Sequence, residues 1–346
     1  MNKFIQIKNH RIGNNQKPFI IAEACINHEG DINIAKNMIH IAHKSGVDCI
    51  KFQIHHLENE MLKITPQSDN FKESLWDALD RTNFTIDQHI ELKKICESLG
   101  IIYLCTPFSR NGADELDEIG VDFFKVGSGE LTNLPLIEHI AKKNKPMIVS
   151  TGMSEIEEIK ETVELIKSMG NQLILTHCTS AYPCPYEIVN LGVIKVLAEK
   201  FDVPIGLSDH SSDIFTSLGA VALGACLIEK HFTLDKTANG PDHASSIEPH
   251  EFEQLVKGAS AIYKARGSEK KIYEQEKQII AWARESIVSE VDIKAGEELT
   301  NKNIWVKRPG PSDDVIPAKY LKKILGKKVN KNINKDNQIK WSDLQK

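Results

Sequence analysis

Eight short apolar runs recur along the chain, and each stops at a polar side chain able to bind an anion, a metal or a carbonyl. They are FIIAE ending at Glu23, DCIKFQ carrying Lys51 and Gln53, IIYLCT ending at Thr106, and FFKVGS carrying Lys125 and Ser128. PMIVST then ends at Ser150 and Thr151, LILTHCTS at His177 to Ser180, PIGLSDH at Ser208 to His210, and ACLIEKH at Glu229 to His231. Between most of them lies a stretch with apolar residues at helical spacing, as in Asn33 to Ser45, Thr85 to Leu99 and Ser154 to Met169. Strands alternating with helices predict a parallel sheet, and eight such units predict an α/β fold, a closed (β/α)8 TIM barrel. Groups at the carboxyl ends of barrel strands converge on one mouth, so the polar terminators spell out a candidate active site in chain order.

The pattern divides the chain. Residues 1–267 hold the barrel, ending in a helix from about His250 to Arg266 with Phe252, Leu255, Val256 and Ile262 on one face. Residues 268–285 read as a charged helical linker. From 286 to 346 the pattern changes to short strands and turns (SIVSEVDI, KAGE, LTNKNIWVKRPG, LGKKV, NQIKW), a small mainly-β domain of a size that calls for packing against something else. Within the barrel, His55 to Asp80 is longer than one connection needs and reads as a lid or substrate loop.

Composition narrows the class. With 346 residues and 41% apolar content the chain can bury a large core, and no apolar stretch is long enough to span a membrane. The first residues, MNKFIQIKNHRIGN, lack a secretory apolar segment, which predicts a cytoplasmic protein. Seven cysteines without a CxxC pair fit reduced buried thiols better than a disulfide framework or a structural zinc. A formal charge of −5 gives no electrostatic reason to expect nucleic acid as a partner.

The candidate chemistry sits at the terminators. His210 and His231 end neighbouring strands, so two imidazoles share a mouth and suit a borderline divalent metal; the alternative is two histidines satisfied in a hydrogen-bond network. Lys51 and Lys125 lie inside apolar strands, where burying an ammonium without a partner is costly, so they are expected to face the interior. With Gln53 and Ser128 beside them and hydroxyls from Thr106, Ser150, Thr151 and Ser208 at other strand ends, they match a small polyanion such as a phosphorylated carboxylate. A nucleotide fits less well, because the chain has no GxxxxGK[ST] loop and GSGELT is not GxGxxG. Either lysine could instead be a Schiff-base nucleophile. Glu23 and Asp242 are carboxylates at a mouth that already holds cations, able to bind hydroxyls or to move protons, with helix capping and loop solvation as the plain alternatives.

The strings INHEG (26–30), TPFSR (106–110), KVGSGE (125–130), STGM (150–153), HCTSAYPCPY (177–186), GLSDHSS (206–212), EKHFTLDK (229–236), GPDHASSIEP (240–249) and WVKRPG (305–310) resemble the sialic acid synthase family. The resemblance runs in order along nearly the whole chain, and the tail looks like that family's antifreeze-like (SAF) domain. It implies condensation of phosphoenolpyruvate with an N-acetylated hexosamine aldehyde, giving a nine-carbon 2-keto-3-deoxy acid and phosphate. His210 and His231 would then ligate a divalent metal, usually Mn2+. Lys51, Thr106, Lys125, Ser128, Ser150, Ser180 and Ser208 would surround phosphoenolpyruvate, while Glu23, Gln53, Tyr182 and Asp242 would face the sugar or a catalytic water. Arg308 would reach from the SAF domain of a partner subunit to the sugar's N-acetyl group in a domain-swapped homodimer. Ser180 stands where the family commonly has asparagine, and Cys184 in YPCP where it usually has threonine. GPDHASSIEP is closer to the neuraminate and legionaminate branches than to the pseudaminate branch. The leading expectation is an N-acetylneuraminate synthase, with an N,N'-diacetyllegionaminate synthase beside it. A metal-dependent or Schiff-base aldolase and a carbohydrate- or ice-binding scaffold are the readings from other classes.

Overall fold

The computed structural model describes residues 4–66, 71 and 73–345 and divides the chain into two compact units, Met1–Gly267 and Ser268–Lys346. In the first, a hairpin of β1 (Phe4–Ile7) and β2 (His10–Gly13) precedes eight parallel strands. These are β3 (Phe19–Glu23), β4 (Cys49–Ile54), β5 (Ile102–Pro107), β6 (Phe124–Val126), β7 (Met147–Ser150), β8 (Leu173–Cys178), β9 (Ile205–Asp209) and β10 (Leu227–His231). The hydrogen-bonded order is β5-β4-β3-β10-β9-β8-β7-β6, and β5 packs beside β6, so the sheet rounds into the TIM barrel. Each of the eight apolar runs is one of these strands.

The helices between them begin and end on local signals. The helix Ile32–Ser45 starts on Asp31, whose side chain accepts from Asn33 N, and stops at Gly46 in the left-handed region. Ile86–Leu99 starts on a capping box of Thr85 and Gln88 and stops at Gly100 in the same conformation. Ile156–Ser168 and Pro249–Ala265 complete the helices expected from periodicity.

Strand parity places the site. Alternate residues Ile20, Ala22, Ile50, Phe52, Tyr103, Cys105, Met147, Val149, Leu173, Leu175 and Ile228 face outward into the layer between sheet and helices. Their neighbours Phe19, Ile21, Cys49, Ile102, Leu104, Phe123, Ile148, Ile174 and Leu227 face inward and form an apolar plug. Ile5, Ile7 and Ile12 of the hairpin join that plug, so β1 and β2 close the amino-terminal end of the barrel. One step further along the same parity come Glu23, Lys51, Thr106, Lys125, Ser150 and Glu229. A polar ring therefore stands on an apolar floor, and the floor fixes its height in the barrel.

The stretch His55 to Asp80 contains short helices at Leu57–Glu60 and Leu75–Thr82; residues 67–70 and 72 of the expected lid lie outside the described residues. All seven cysteines are buried free thiols. Among the described residues, no helix is long and apolar enough to cross a membrane.

The second unit opens with a helix, Glu274–Ala283, on the stretch read as a linker. Where several short strands were expected, β11 (Ser286–Ser289) and β12 (Ile304–Lys307) form the one ladder among its described residues. LGKKV and NQIKW contribute single bridges, such as Glu298 with Lys328 and Val315 with Lys340, and KAGE is flanked by the bridging residues Ile293 and Glu298, because the chain turns away after each pairing. Nor does the tail lack a core of its own: Ile287, Leu299, Ile304, Ile316, Ile324 and Ile339 are fully buried together.

Candidate active site

A cavity of about 400 Å³ opens at the carboxyl ends of the barrel strands. It is lined by Glu23, Lys51, Gln53, Thr106, Lys125, Ser128, Ser150, Ser180, Tyr182, Ser208, His210, His231 and Asp242; of the hydroxyls expected there, Thr151 is not a lining residue, because its Oγ1 donates to the carbonyl of Thr176 at 3.1 Å. Arg308 belongs to the second unit, where its guanidinium lies 5.7 Å from the ring centroid of Trp282. Cys184, in contrast to Ser180, is not a lining residue; its backbone N–H donates to the carbonyl of His210 at 2.8 Å.

The two lysines are buried and neither is unpaired. Lys51 Nζ lies 2.9 Å from Glu23 Oε2 and donates to Thr106 Oγ1 at 3.1 Å. Lys125 Nζ donates to Ser150 Oγ at 2.7 Å, and that hydroxyl is 2.8 Å from Thr176 Oγ1. Glu229 joins them, with Oε1 at 3.6 Å from Lys51 and 3.5 Å from Lys125, and accepts from Ser208 Oγ at 3.2 Å. Burial would raise Glu229, but Lys125 and Lys51 outweigh it and hold this carboxyl below the usual range. Burial dominates at Glu23 and lifts it to about 7 against the pull of Lys51. Lys51 stays above the ordinary lysine range because Glu229 and Glu23 overcome its desolvation, whereas burial pulls Lys125 down. The centre of the cavity thus keeps two ammonium groups against one firmly ionised carboxylate, a field that favours an anion.

Around this ring the loops close in. Ser128 Oγ accepts from Gly152 N at 3.1 Å. A Cβ on Gly152 would sit 2.3 Å from Ser180 Oγ and 2.7 Å from Ser128 Oγ, so only glycine lets these three loops meet. Gln53 Nε2 donates to Glu23 Oε1 at 3.0 Å, fixing the outer carboxylate oxygen. The Tyr182 ring lies over His210 with centroids 4.1 Å apart.

The imidazoles have the geometry of metal ligands. Their ring centroids are 5.2 Å apart. His210 Nδ1 is 3.0 Å from the carbonyl of Thr179, so it carries the proton and leaves Nε2 as the free acceptor. Burial drives His231 well below its ordinary range, which keeps it neutral, and its Nδ1 is buried without a hydrogen-bond partner. The neutral His231, with its orphaned lone pair, fits a divalent cation.

Several lining residues were given no role by the sequence, although Glu229 and Cys178 fall within its polar terminators. Glu229 and Cys178 were legible from parity, two positions after Leu227 and four after Ile174. Glu130, lifted to about 7 by burial with Oε2 unpartnered, and Cys25 come from turns, and no periodicity announces them.

Residues 38–271 match the NeuB family, and residues 284–345 match the SAF domain. The chain is 40% identical to N,N'-diacetyllegionaminic acid synthase of Campylobacter jejuni, over 94% of this chain and 99% of that one. It is 36% identical to N-acetylneuraminate-9-phosphate synthase of Homo sapiens, over 95% and 93%. Among solved structures, N-acetylneuraminic acid synthetase from Leptospira borgpetersenii, in complex with citrate, superimposes with a TM-score of 0.73 at 36% identity, covering 81% of this chain and 96% of that one.

Proposed function

This chain belongs to the NeuB family of sialic acid synthases, and we propose that it joins phosphoenolpyruvate to an N-acetylated mannosamine-type sugar, with water, to give a nine-carbon 2-keto-3-deoxy acid and phosphate. One observation carries the reading: Lys51 and Lys125, each against a hydroxyl, line the same cavity as His210 and His231. An anion-holding end thereby faces a carbonyl-activating end. Of the two sugars weighed, 2,4-diacetamido-2,4,6-trideoxymannose is supported by the 40% identity to the legionaminic acid synthase of Campylobacter jejuni, while the 35% and 36% identities to the Legionella pneumophila legionaminic acid synthase and the human neuraminate relative do not separate the two.

In this reading the lysines and the hydroxyls of Thr106, Ser128, Ser150, Ser180 and Ser208 hold the enol phosphate with C3 toward the imidazoles. His210 and His231 would hold a divalent cation, Mn2+ by the family's habit, which would supply polarisation of the sugar aldehyde. The C3 carbon forms a bond to the aldehyde carbon as the carbonyl π electrons pass to the aldehyde oxygen, which takes a proton from solvent and becomes a hydroxyl; the positive charge left at C2 is attacked by water. Glu23, lifted to about 7, takes a proton from that water, with Lys51 holding its charged form. The tetrahedral centre then loses phosphate by C–O cleavage, and Lys51 and Lys125 stabilise the departing charge. Gln53, Tyr182 and Asp242 position the sugar. Arg308 of a partner subunit meets the N-acetyl group in a domain-swapped homodimer.

The test is incubation of the full chain with phosphoenolpyruvate and a panel of acylated mannosamine sugars, following phosphate and keto acid together. Equimolar phosphate and keto acid from one sugar is the expected result. Keto acid formed from free pyruvate with no phosphate would replace this reading by an aldolase.

A further inference from the structure

Resting on the metal-assisted reaction above, we propose that Cys25 is a metal ligand. Its thiolate, one nitrogen of His231 and a carboxylate oxygen of Asp242 form one face of a cation site that prefers a thiophilic divalent ion such as Co2+ or Zn2+ to Mn2+. The three donors come from three parts of the chain: the turn after β3, the end of β10 and the loop that follows it. One ligand atom from each lies within 4.8 Å of the others, and all three residues are buried. His231 Nδ1 is 3.8 Å from Asp242 Oδ2 and has no hydrogen-bond partner. That spacing is close to the edge of a tetrahedral site, which bond lengths of about 2.1 Å to nitrogen or oxygen and 2.3 Å to sulfur place at roughly 3.4–3.6 Å.

His210 is the complementary donor across the cavity, and it does not form a three-donor set within that radius. Its Nδ1 is held by Thr179, and the sulfur near it, at 3.9 Å, is that of Cys178. The sulfur ligand is therefore assigned to Cys25, although two thiols line the cavity. When the cation binds, the Cys25 S–H bond breaks, its proton leaves to solvent and a metal–sulfur bond takes its place. Thiolate is a poor partner for Mn2+ and a good one for cobalt or zinc, which sets the order of affinities. Cys25 also sits at φ 46°, a conformation that glycine adopts more readily, so the position is one where a cysteine is held against the backbone's preference.

The experiment is a titration of chelator-treated full-length protein with Co2+, reading the sulfur-to-cobalt charge-transfer band in the near ultraviolet, followed by competition with Mn2+. The band should appear in the unaltered protein and in Cys178→Ser and vanish in Cys25→Ser. Co2+ affinity in Cys25→Ser should fall at least about tenfold, with a smaller change for Mn2+. Should Cys25→Ser not fold, Cys25→Gly suits the left-handed backbone and serves instead. Bound Co2+ without the band, or a band that survives loss of Cys25 or disappears with Cys178, overturns the assignment. Phosphate release from phosphoenolpyruvate, assayed separately, distinguishes the two claims: metal-dependent release without the band removes the Cys25 ligand and leaves the reaction, whereas a Cys25-dependent band without release removes the reaction and leaves the site.

Discussion

The residues just outside the mouth offer the sharpest test of how the two imidazoles are held. Lys230 and Asp209 face each other across β9 and β10, each one residue from a histidine of the pair. Neither lines the cavity. Lys230 Nζ is fully buried, 3.2 Å from Asp209 Oδ2 and 3.0 Å from Ser211 Oγ, and it also donates to the Ser211 carbonyl. Asp209 accepts in addition from Thr216 at 2.7 Å, Ser217 at 2.6 Å and Ser211 N at 2.9 Å. Burial would raise this carboxyl, but the ammonium and the hydroxyls hold it below the usual range.

Replacing Lys230 with methionine leaves Asp209 charged and buried without its cation, a change that costs about 3–5 kcal/mol. The barrel unit runs to Gly267, and at roughly 2.1 cal/mol/K per residue its unfolding entropy is about 0.56 kcal/mol/K, so the melting temperature should fall by about 5–9 °C. Asp209→Asn added to Lys230→Met removes the orphaned charge while keeping an acceptor for Thr216 and Ser217. The double variant should recover most of the loss, since a neutral replacement of a buried pair is often tolerated. Calorimetry on the four proteins of this cycle measures the coupling. If Lys230→Met melts within about 1 °C of the unaltered protein, or the double variant loses the sum of the singles, the pair does not hold the strands and the reasoning is refuted.

Glu130 should make stability depend on pH. Its folded pKa of about 7 exceeds the ordinary 4.5, so as pH rises from 4.5 to 7 the unfolded chain gives up a proton that the fold retains, and stability drops across that window. Glu130→Gln should therefore match the unaltered protein near pH 4.5 and exceed it by at most about 3 kcal/mol at pH 8 in urea unfolding. Parallel pH curves for the two would show that Glu130 is not the group responsible. Arg308→Ala should raise the KM of the sugar about 10- to 100-fold, the weight of a charged hydrogen bond, and leave that of phosphoenolpyruvate nearly unchanged. Equal increases in steady-state assays would contradict its placement at the N-acetyl group.

The barrel was legible because a parallel strand buried on both faces leaves a continuous apolar run, and because such a run can end in a polar residue only where the strand reaches the mouth. Lys51 and Lys125 could be read for the same reason, since an ammonium inside FFKVG or DCIKFQ has nowhere to go except inward. Glu229 was named as a terminator but left without a role beside His231, though parity points both the same way. The hairpin formed by β1 and β2 left too weak a trace, because its inward residues Ile5, Ile7 and Ile12 are few and spaced by a turn. Cys25 and Glu130 are set by backbone turns rather than by a repeating pattern, and only coordinates reveal what such turns bring together.

Where the groups sit in the barrel also separates what is shared from what varies. The charged ring comes from strands, and its members constrain one another: moving Glu229 would disturb Lys51, Lys125 and Ser208 together. The outer cavity is built from loops, with Phe71, Met153, Tyr182 and Asp242 on four different connections, and Met153 and Tyr182 remain exposed. A substitution there changes the space offered to a sugar without unbalancing buried charge, so it costs little in stability. Drift in the loops can thus alter the acyl and deoxy pattern that is accepted while the strand-borne chemistry stays intact. Relatives carrying the names of legionaminic, neuraminic and pseudaminic acid synthases are what that division of labour would produce in one family. In the proposed reaction, the choice of sugar would accordingly rest on those loops, and the chemistry on the ring beneath them.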